Sequence, residues 1–348
     1  MRARTFLQNS VLLDFVLWRS SAFISPTTSW NKMKSRTIIT KAAAEDDSSL
    51  VRDMLSRIRQ VNSMTEDLKK KSIIFQVDGI ILGRVMPSVL TKLLATSTFR
   101  MDNNTLTLSP EKAGNTCSSR TDAVREVMED LRKKGDIPGW RDELYPIASH
   151  FYDDPVFLME RAAVPVLGVL EYGVHLNGLV RKDDDDEDTM MWIARRSATK
   201  SKYPGMLDHI VAGGQPYGLS LMDNVIKECI EEAGIPEDIT RAGIKPGGAI
   251  SYTQYVSKYD YISRVVLFCY DLRLPDTFQP KPVDGEVDEF FLWDMDRVKE
   301  SFCLHYDDPI KPNCYIVIID YLLRNGHISP DTPGYLDILR ELRSGDCQ

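Results

Sequence analysis

Residues 213–235, GGQPYGLSLMDNVIKECIEEAGI, constrain the fold of this chain more than any other segment. Ser220 begins a typical N-cap pattern, and Gly234 followed by a proline two residues later is a typical helix end. Together they predict a helix from Leu221 to Ala233. At about 100° per residue, its apolar side chains fill one half of the helix surface. We therefore expect one face of this helix to pack on a core.

Three carboxylates, those of Glu228, Glu231 and Glu232, lie along one edge of the predicted helix. Like charges at this spacing repel one another and raise each other's pKa values, so the cluster favours a bound cation. Hard divalent cations prefer oxygen ligands, and Mg²⁺ often bridges carboxylates to substrate phosphates. The cluster therefore predicts a Mg²⁺ site, with Mn²⁺ as the alternative ion. Taken alone, the three residues also fit an acidic helix face exposed to water.

The whole segment resembles the Nudix box, G-x5-E-x7-R-E-U-x-E-E-x-G-U, in which U is an aliphatic residue. The residues that match it at the right spacing are Gly213, Glu228, Glu231, Glu232, Gly234 and Ile235. Leu219 stands in place of the first Glu and Lys227 in place of the Arg, so we expect altered support of the loop and helix. The resemblance implies an α/β fold, the Nudix α/β/α sandwich with a mixed sheet, and makes Glu228 and Glu232 the catalytic candidates.

Flanking stretches extend the resemblance to one Nudix group. Residues 75–146 resemble the companion domain of plant chloroplast and fungal enzymes related to the Nudix portion of thiamin pyrophosphokinase fusions. The supporting stretches are IPGWRDELYPI, YPGMLDHIVAGGQP and KPNCYIVIIDYLLRNGHI. The resemblance implies hydrolysis of thiamin diphosphate and its analogues, oxo- and oxythiamin diphosphate, to the monophosphate and phosphate. The alternatives are a nucleoside diphosphate such as 8-oxo-dGDP, and a Nudix-fold binding module with weak catalysis.

Charge and helical spacing divide the chain into three predicted parts. Residues 1–44 are rich in Arg, Lys, Ser and Thr and contain a single acid, Asp14, which is typical of a presequence for plastids or mitochondria. A disordered extension of a cytoplasmic protein is the alternative. We expect residues 45–150 to form a smaller α+β companion domain, and residues 151–348 to form the Nudix domain.

Local patterns within residues 45–150 predict helices at 45–68, 87–95 and 121–134, and a strand pair around the turn at Asp78 and Gly79. The segment at 139–146, GWRDELYP, combines aromatic, charged and turn-forming residues. It is expected either to line a ligand cleft between the two domains or to pack as a connector.

Basic and glycine residues before the helix are the candidate substrate ligands. Arg195 and Lys200 follow a predicted strand, where their charge would meet a diphosphate. A strand at 208–212 should deliver Gly213 and Gly214, whose missing side chains let backbone N–H groups approach phosphates closely.

Acidic residues after the helix are the candidates for a second metal contact or a general base: Glu286 and Glu289, with Asp288 between them. Ordinary surface charge is the alternative. The acidic run at 183–188 lacks the pattern of a calcium loop, so we expect the solvated tip of a hairpin.

Net charge and cysteine usage exclude several classes of partner. A formal net charge of −8 argues against nonspecific binding to nucleic acid or anionic membranes. The six cysteines contain no C-x-x-C pair, so they indicate neither a zinc ribbon nor a dense disulfide framework and favour a reducing compartment. The expected partner is a small-molecule diphosphate, with no nucleic acid and no membrane.

Overall fold

The structure is a computed structural model that describes residues 48–181 and 189–345. Asp46–Gln348 form one compact unit. The predicted presequence and the acidic run at 183–188 lie outside the described residues. Within the described ranges, no helix is long and apolar enough to cross a membrane.

The N-terminal part of this unit combines short helices with a four-stranded sheet. Its elements are α1 (48–61), α2 (Glu66–Lys71), β1 (Ile73–Val77), β2 (Ile80–Val85), α3 (Pro87–Leu94), β3 (Phe99–Asp102), β4 (Thr105–Leu108), α4 (Pro110–Ala113) and α5 (Cys117–Lys133). The strand order is β2-β1-β4-β3. The predicted strand pair around Asp78 and Gly79 is confirmed, as is the helix at 87–95 to within one residue.

Two predicted helix bounds in this part were wrong. The helix expected at 45–68 is divided, because Thr65 caps a new helix by accepting a hydrogen bond from the Leu68 backbone N–H. Helix α5 begins four residues before Thr121, since Thr116 and Ser119 form a reciprocal capping box one turn earlier. Thr121 is buried inside the helix, where its hydroxyl donates to the Cys117 carbonyl.

The larger part carries a seven-stranded mixed sheet between helices. Its elements are β5 (Leu144–Ile147), β6 (Phe157–Glu160), a 3-10 turn (Arg161–Ala163), α6 (Val164–Leu167), β7 (Leu170–Arg181), β8 (Thr189–Arg196), β9 (Leu207–His209), β10 (Val211–Gly214), α7 (Leu221–Ala233), α8 (Glu237–Gly243), β11 (Ile244–Val256), β12 (Tyr261–Arg273), β13 (Val287–Asp294), α9 (Met295–Glu300), α10 (Pro312–Arg324) and α11 (Tyr335–Glu341). The sheet order is β11-β12-β7-β8-β13, with β10 added on β7 and β9 on β8.

The sheet is covered on both faces, as the sandwich fold requires. On one face, Val174 and Leu176 of β7 share a buried cluster with Val225 and Cys229 of α7. On the other, strand residues such as Leu267 share a cluster with α10 and α1. Strands β7 and β12 are parallel, whereas β7 and β8 are antiparallel. The α/β sandwich with a mixed sheet and additional N-terminal elements is thus confirmed.

Candidate active site

Helix α7 begins at Leu221 and ends at Ala233, as the capping signals predicted. Ser220 Oγ accepts a hydrogen bond from the Asp223 backbone N–H at 3.1 Å. Gly234 adopts the left-handed conformation with φ of 61° and ends the helix. Because the apolar half of α7 is buried on the sheet, the orientation of its acidic edge is fixed.

The three carboxylates of α7 differ in burial. Glu232 is only 7% exposed, and its Oε2 accepts a hydrogen bond of 2.9 Å from the Ala212 backbone N–H. Glu228 is largely buried, and its carboxyl group lies so close to Gly213 that a Cβ at that position would overlap it. Glu231 is more exposed. Strand β10 therefore needs a glycine at 213 to admit the Glu228 side chain.

Burial gives the two inner carboxylates unusual acid–base properties. Burial, followed by the negative charge of Glu228, raises the pKa of Glu232 well above its ordinary value. Burial also raises the pKa of Glu228, although Lys227 opposes the shift. Neighbouring oxygen donors whose negative charges are poorly compensated fit a hard divalent cation such as Mg²⁺.

Lys227 supports this cluster at the position where the motif has Arg. Its Nζ lies 2.6 Å from Glu231 Oε2 and 3.4 Å from Glu228 Oε1. One ammonium group thus bridges two carboxylates, although it lacks the planar fork of a guanidinium.

Two buried amides support the loop before α7, where Leu219 replaces the Glu of the motif. Leu219 is 38% exposed, and its carbonyl accepts a hydrogen bond of 2.8 Å from Gln215 Nε2. Asn224 Nδ2 donates to Gln215 Oε1 at 3.1 Å and to the Gly214 carbonyl at 2.7 Å. Sequence reasoning missed both amides, and their positions on either side of the predicted N-cap were the available signal.

A cavity of about 540 Å³ lies beside the acidic edge of α7. The sequence-predicted site residues on its wall are Lys200, Gly213, Gly214, Glu228, Glu231, Glu232 and Glu286. Seven of the nine predicted site residues are therefore brought together in space, although they span three separate stretches of the chain.

Arg195 and Glu289 are the two predicted site residues that the structure does not bring to this cavity. Arg195 forms two hydrogen bonds to Asp308, of 2.7 and 2.6 Å, and lies over the Phe291 ring. Glu289 is exposed and pairs with Arg195 across β13 and β8. Because successive strand residues face opposite sides, Arg196 rather than Arg195 lines the cavity.

Glu286 and Lys200 form an ion pair on the cavity wall. Arg141 Nη1 lies 3.8 Å from the other oxygen of Glu286. Although burial opposes it, the hydrogen bond and charge of Lys200 lower the pKa of Glu286. Glu286 is therefore a weaker base than Glu228.

Three polar wall residues precede the seven-stranded sheet: Arg141, Tyr145 and Arg161. The GWRDELYP segment, which was expected to line a cleft, contains Arg141 and Tyr145. No sequence signal marked Arg161. A Cβ on Gly214 would overlap the Tyr145 hydroxyl and crowd Arg161. Side chains thus occupy the Cβ positions of Gly213 and Gly214, although both glycines line the cavity.

A second buried acid lies near the cavity. Asp208 accepts hydrogen bonds from Arg196, from Lys311 Nζ at 2.9 Å and from Cys314 Sγ at 2.7 Å. Although burial opposes it, the charges of Lys311 and Arg196 hold the pKa of Asp208 well below its ordinary range. Sequence reasoning did not single out this network.

Two histidines adjoin Asp208, with donor atoms close to the Cys314 sulfur. The donors of His175, His209 and Cys314 lie within 4.8 Å of one another, a spacing that could hold a metal ion. Burial lowers the pKa of both histidines, that of His209 to about 4. The adjacent cations that neutralise Asp208 oppose a further positive charge there, so the oxygen cluster on α7 is the better cation site.

Comparison with known proteins finds relatives along most of the chain. Residues 53–171 match a family described as a domain of unknown function, DUF4743. The chain is 38% identical over 366 residues to "Nudix hydrolase 20, chloroplastic" of Arabidopsis thaliana, covering 97% of this chain and 93% of the relative. It is 39% identical over 338 residues to "Nudix hydrolase 24, chloroplastic" of the same plant, covering 93% and 86%. A solved MutT/nudix family protein from Enterococcus faecalis aligns with 49% of this chain and 67% of its own, at 15% identity and a TM-score of 0.35.

Proposed function

This chain belongs to the Nudix hydrolase family, and on that premise we propose that it hydrolyses a small-molecule diphosphate in the cavity beside α7. The observation that carries the proposal is a pair of carboxylates on the cavity wall, the buried Glu232 and the largely buried Glu228, whose pKa values are raised by burial. With Glu231 they would hold Mg²⁺, or Mn²⁺ in its place.

Cations that line the same cavity suit the phosphate groups. Lys200, Lys202, Arg141 and Arg161 all line the cavity. Lys200 is paired with Glu286, and Arg161 Nη1 lies 3.0 Å from Glu143. These carboxylates hold the cations in place, so a diphosphate would meet positioned donors.

The reaction adds water to the terminal phosphate and releases a monophosphate and orthophosphate. When bound, Mg²⁺ would neutralise the diphosphate oxygens and so reduce the repulsion that an attacking water meets. The Glu228 carboxylate accepts the proton of that water, a step worth about 10²- to 10⁴-fold. The Ala212 N–H fixes the orientation of Glu232. Glu286, with its lowered pKa, is the alternative base.

The proposed substrates are thiamin diphosphate and its oxo- and oxythiamin analogues. Support comes from the sequence resemblance to the thiamin-linked Nudix group, and from a cavity within the roughly 300–1,000 Å³ range of small-molecule sites. The competing readings are hydrolysis of a nucleoside diphosphate such as 8-oxo-dGDP, and a binding module that has lost catalysis through the changes at Leu219 and Lys227.

Phosphate release from oxothiamin, oxythiamin, thiamin and 8-oxo-deoxyguanosine diphosphates, with and without Mg²⁺, tests the proposal. We expect Mg²⁺-dependent release from the thiamin compounds, and a loss of at least about 100-fold in Glu232→Gln. Preferential release from the guanine nucleotide would assign the other substrate class. No release from any compound would favour the binding module, and release that survives Glu232→Gln would refute the metal assignment.

We also propose that residues 45–150 act as a companion domain that closes one side of the cavity. Arg141 and Tyr145, near its end, line the cavity wall. Arg141→Ala and Tyr145→Phe should raise KM for the diphosphate, whereas an unchanged KM in both variants would limit the region to a structural role.

For location, we propose a plastid, because both plant relatives are named chloroplastic. A fluorescent protein carrying residues 1–44 should enter plastids. A mitochondrial or cytosolic signal would instead select one of the alternatives.

A further inference from the structure

The buried side chain of Glu160 joins the two segments that carry the arginines of the cavity wall. Glu160 is the last residue of β6, immediately before the 3-10 turn, and is 5% exposed. Its Oε1 accepts hydrogen bonds from the backbone N–H groups of Arg141 at 2.9 Å and Ala162 at 3.0 Å. Its Oε2 accepts one from the Glu143 N–H at 3.2 Å. Three N–H groups, from the segment before β5 and the turn after β6, therefore converge on one carboxylate.

The backbone turn before β5 is shaped to receive this carboxylate. Asp142 lies between two of the donors with φ of 58°, a left-handed conformation that is uncommon for residues other than glycine. Its own carboxylate accepts a hydrogen bond of 2.8 Å from Trp140 Nε1. Backbone N–H groups around a left-handed residue can form a concave anion site, and here the anion is Glu160. Glu160 thus fixes the turn from which the Arg141 side chain reaches the cavity.

Arg161 is fixed to the same segment through both its backbone and its side chain. Its backbone N–H donates to the Glu143 carbonyl at 2.9 Å, and its Nη1 donates to Glu143 Oε2 at 3.0 Å. Because the Glu143 N–H is in turn bound to Glu160, the position of the guanidinium depends on Glu160. That guanidinium would lie 2.9 Å from a Cβ on Gly214. Burial raises the pKa of Glu228, and the charge of Arg161 is among the effects that oppose this rise, so Arg161 acts on the acidic edge of α7.

Within the described part of the chain, Arg141 and Arg161 line the cavity, whereas Glu160 does not. We propose that Glu160 is a positioning residue, whose carboxylate holds the two arginines at a fixed spacing so that they bind the phosphate groups of the substrate together. This inference rests on the proposed function, because it concerns the diphosphate of the same substrate. Since the arginines are ordered before the diphosphate binds, less conformational entropy is lost on binding.

Glu160→Gln tests this role with little change in side-chain volume. A glutamine amide presents hydrogens where a carboxylate presents only acceptors, so at least one of the three N–H groups loses its partner. We expect KM for the diphosphate to rise about five- to twentyfold and kcat to stay within about twofold, because the arginines bind the phosphates in the ground state and the transition state alike.

Asp294→Asn is the matched control. The Asp294 carboxylate also accepts a backbone hydrogen bond, of 2.8 Å from the Arg297 N–H at the start of α9, but among the described residues it is not part of the cavity wall. This variant should leave both KM and kcat unchanged. An unchanged KM in Glu160→Gln, or the same change in both variants, would overturn the proposal.

A second series shows whether Glu160 acts through the arginines. In a protein that already carries Arg141→Ala and Arg161→Ala, adding Glu160→Gln should change kcat/KM less than about twofold. A reduction that persists at full size in this background would mean that Glu160 has only a general structural role. Denaturant unfolding checks that each variant is folded. If Glu160→Gln does not fold, Glu160→Asp replaces it, because its shorter side chain cannot reach all three N–H groups, and the same rise in KM is expected.

Binding of methylenediphosphonate, a diphosphate analogue that is not hydrolysed, separates this inference from the proposed function. With Mg²⁺ present, we expect calorimetry to give a Kd about five- to twentyfold higher for Glu160→Gln than for wild type. If wild type hydrolyses no diphosphate but shows this difference, the hydrolase assignment fails and the role of Glu160 stands. If wild type is active and Glu160→Gln changes neither KM nor Kd, only the role of Glu160 is refuted. Wild type that binds no diphosphonate would refute that role as well.

Discussion

Two buried carboxylates, Glu232 of α7 and Asp208 of β9, lie in opposite electrostatic environments. They are 7% and 5% exposed, respectively. Asp208 has two cations and a thiol as partners, and its pKa is lowered. Glu232 has one backbone N–H as partner and a second carboxylate nearby, and its pKa is raised.

The difference separates a group that stabilises the fold from one that is held ready for a ligand. A buried acid that meets its own cations contributes to stability, provided that both partners stay in place. A buried acid whose charge is poorly compensated destabilises the folded chain until a cation binds. The cluster on α7 belongs to the second kind, and its residual negative charge is what favours the proposed cation site.

The largest expected effect comes from removing the charge of Asp208. Asp208→Asn leaves the largely buried cations Lys311 and Arg196 without a counter-charge, so we expect a loss of about 3–5 kcal/mol in the free energy of unfolding. Denaturant unfolding of the metal-free protein measures it. The matched substitution Glu232→Gln should leave the free energy of unfolding unchanged or raise it. An equal loss of that free energy in both variants would contradict the distinction between Asp208 and Glu232.

The next effect concerns catalysis. Glu232→Gln preserves the shape of the side chain but removes a metal-binding oxygen charge, so we expect turnover to fall on the order of 10²- to 10³-fold. Mg²⁺ affinity, measured by calorimetry, should fall with it. Glu231→Gln is the comparison, since Glu231 is exposed and already bound to Lys227. If Glu231→Gln reduces turnover as much as Glu232→Gln does, the burial of a carboxylate does not determine how much it contributes to metal binding.

Local signals in the sequence were sufficient to predict α7. The capping residue and the final glycine each lie within about one turn of the helix end that they specify, and the apolar spacing runs along the helix between them. The acidic edge followed from helix geometry alone. Lys200 and Glu286 were identified by their charge next to predicted strands, and the structure brings both to the cavity.

Contacts between distant segments could not be predicted in this way. Which of Arg195 and Arg196 faces the cavity depends on strand register, and one residue of shift reverses the face. The bond from Lys311 to Asp208 joins positions 103 residues apart. Arg161 reaches Gly214 only through tertiary packing, and no local pattern encodes that contact.

A pH series on metal-free protein tests the sign of the Glu232 shift. The folded pKa lies above the ordinary value of 4.5, so the folded state holds a proton that the unfolded state releases. Stability should therefore fall as pH rises from about 4.5 through the folded pKa, and stay lower above it. We expect the stability of Glu232→Gln relative to wild type to increase as pH rises above about 4.5, and to level off above the folded pKa.

Comparing the two proteins at each pH cancels the contributions of Asp208 and the buried histidines. The pKa of Asp208 is lowered, so its contribution is lost only in strong acid. Added Mg²⁺ should stabilise wild type more at high pH, because ligands must be deprotonated. A difference in unfolding free energy between wild type and Glu232→Gln that stays constant with pH, together with Mg²⁺ stabilisation that does not depend on pH, would show that Glu232 has an ordinary pKa.

The smallest expected effect is at Lys227, whose charge opposes the rise in the pKa of Glu228. In Lys227→Gln that opposition is lost, so the acid limb of the kcat/KM profile should move to higher pH, with activity at neutral pH reduced about two- to fivefold. Lys227→Arg keeps the charge and should keep the limb in place. Well above the limb, Lys227→Gln should recover nearly wild-type activity, because only protonation has changed. A loss that persists equally at every pH would instead mean that Lys227 acts by holding Glu231 in position, through the 2.6 Å contact between them.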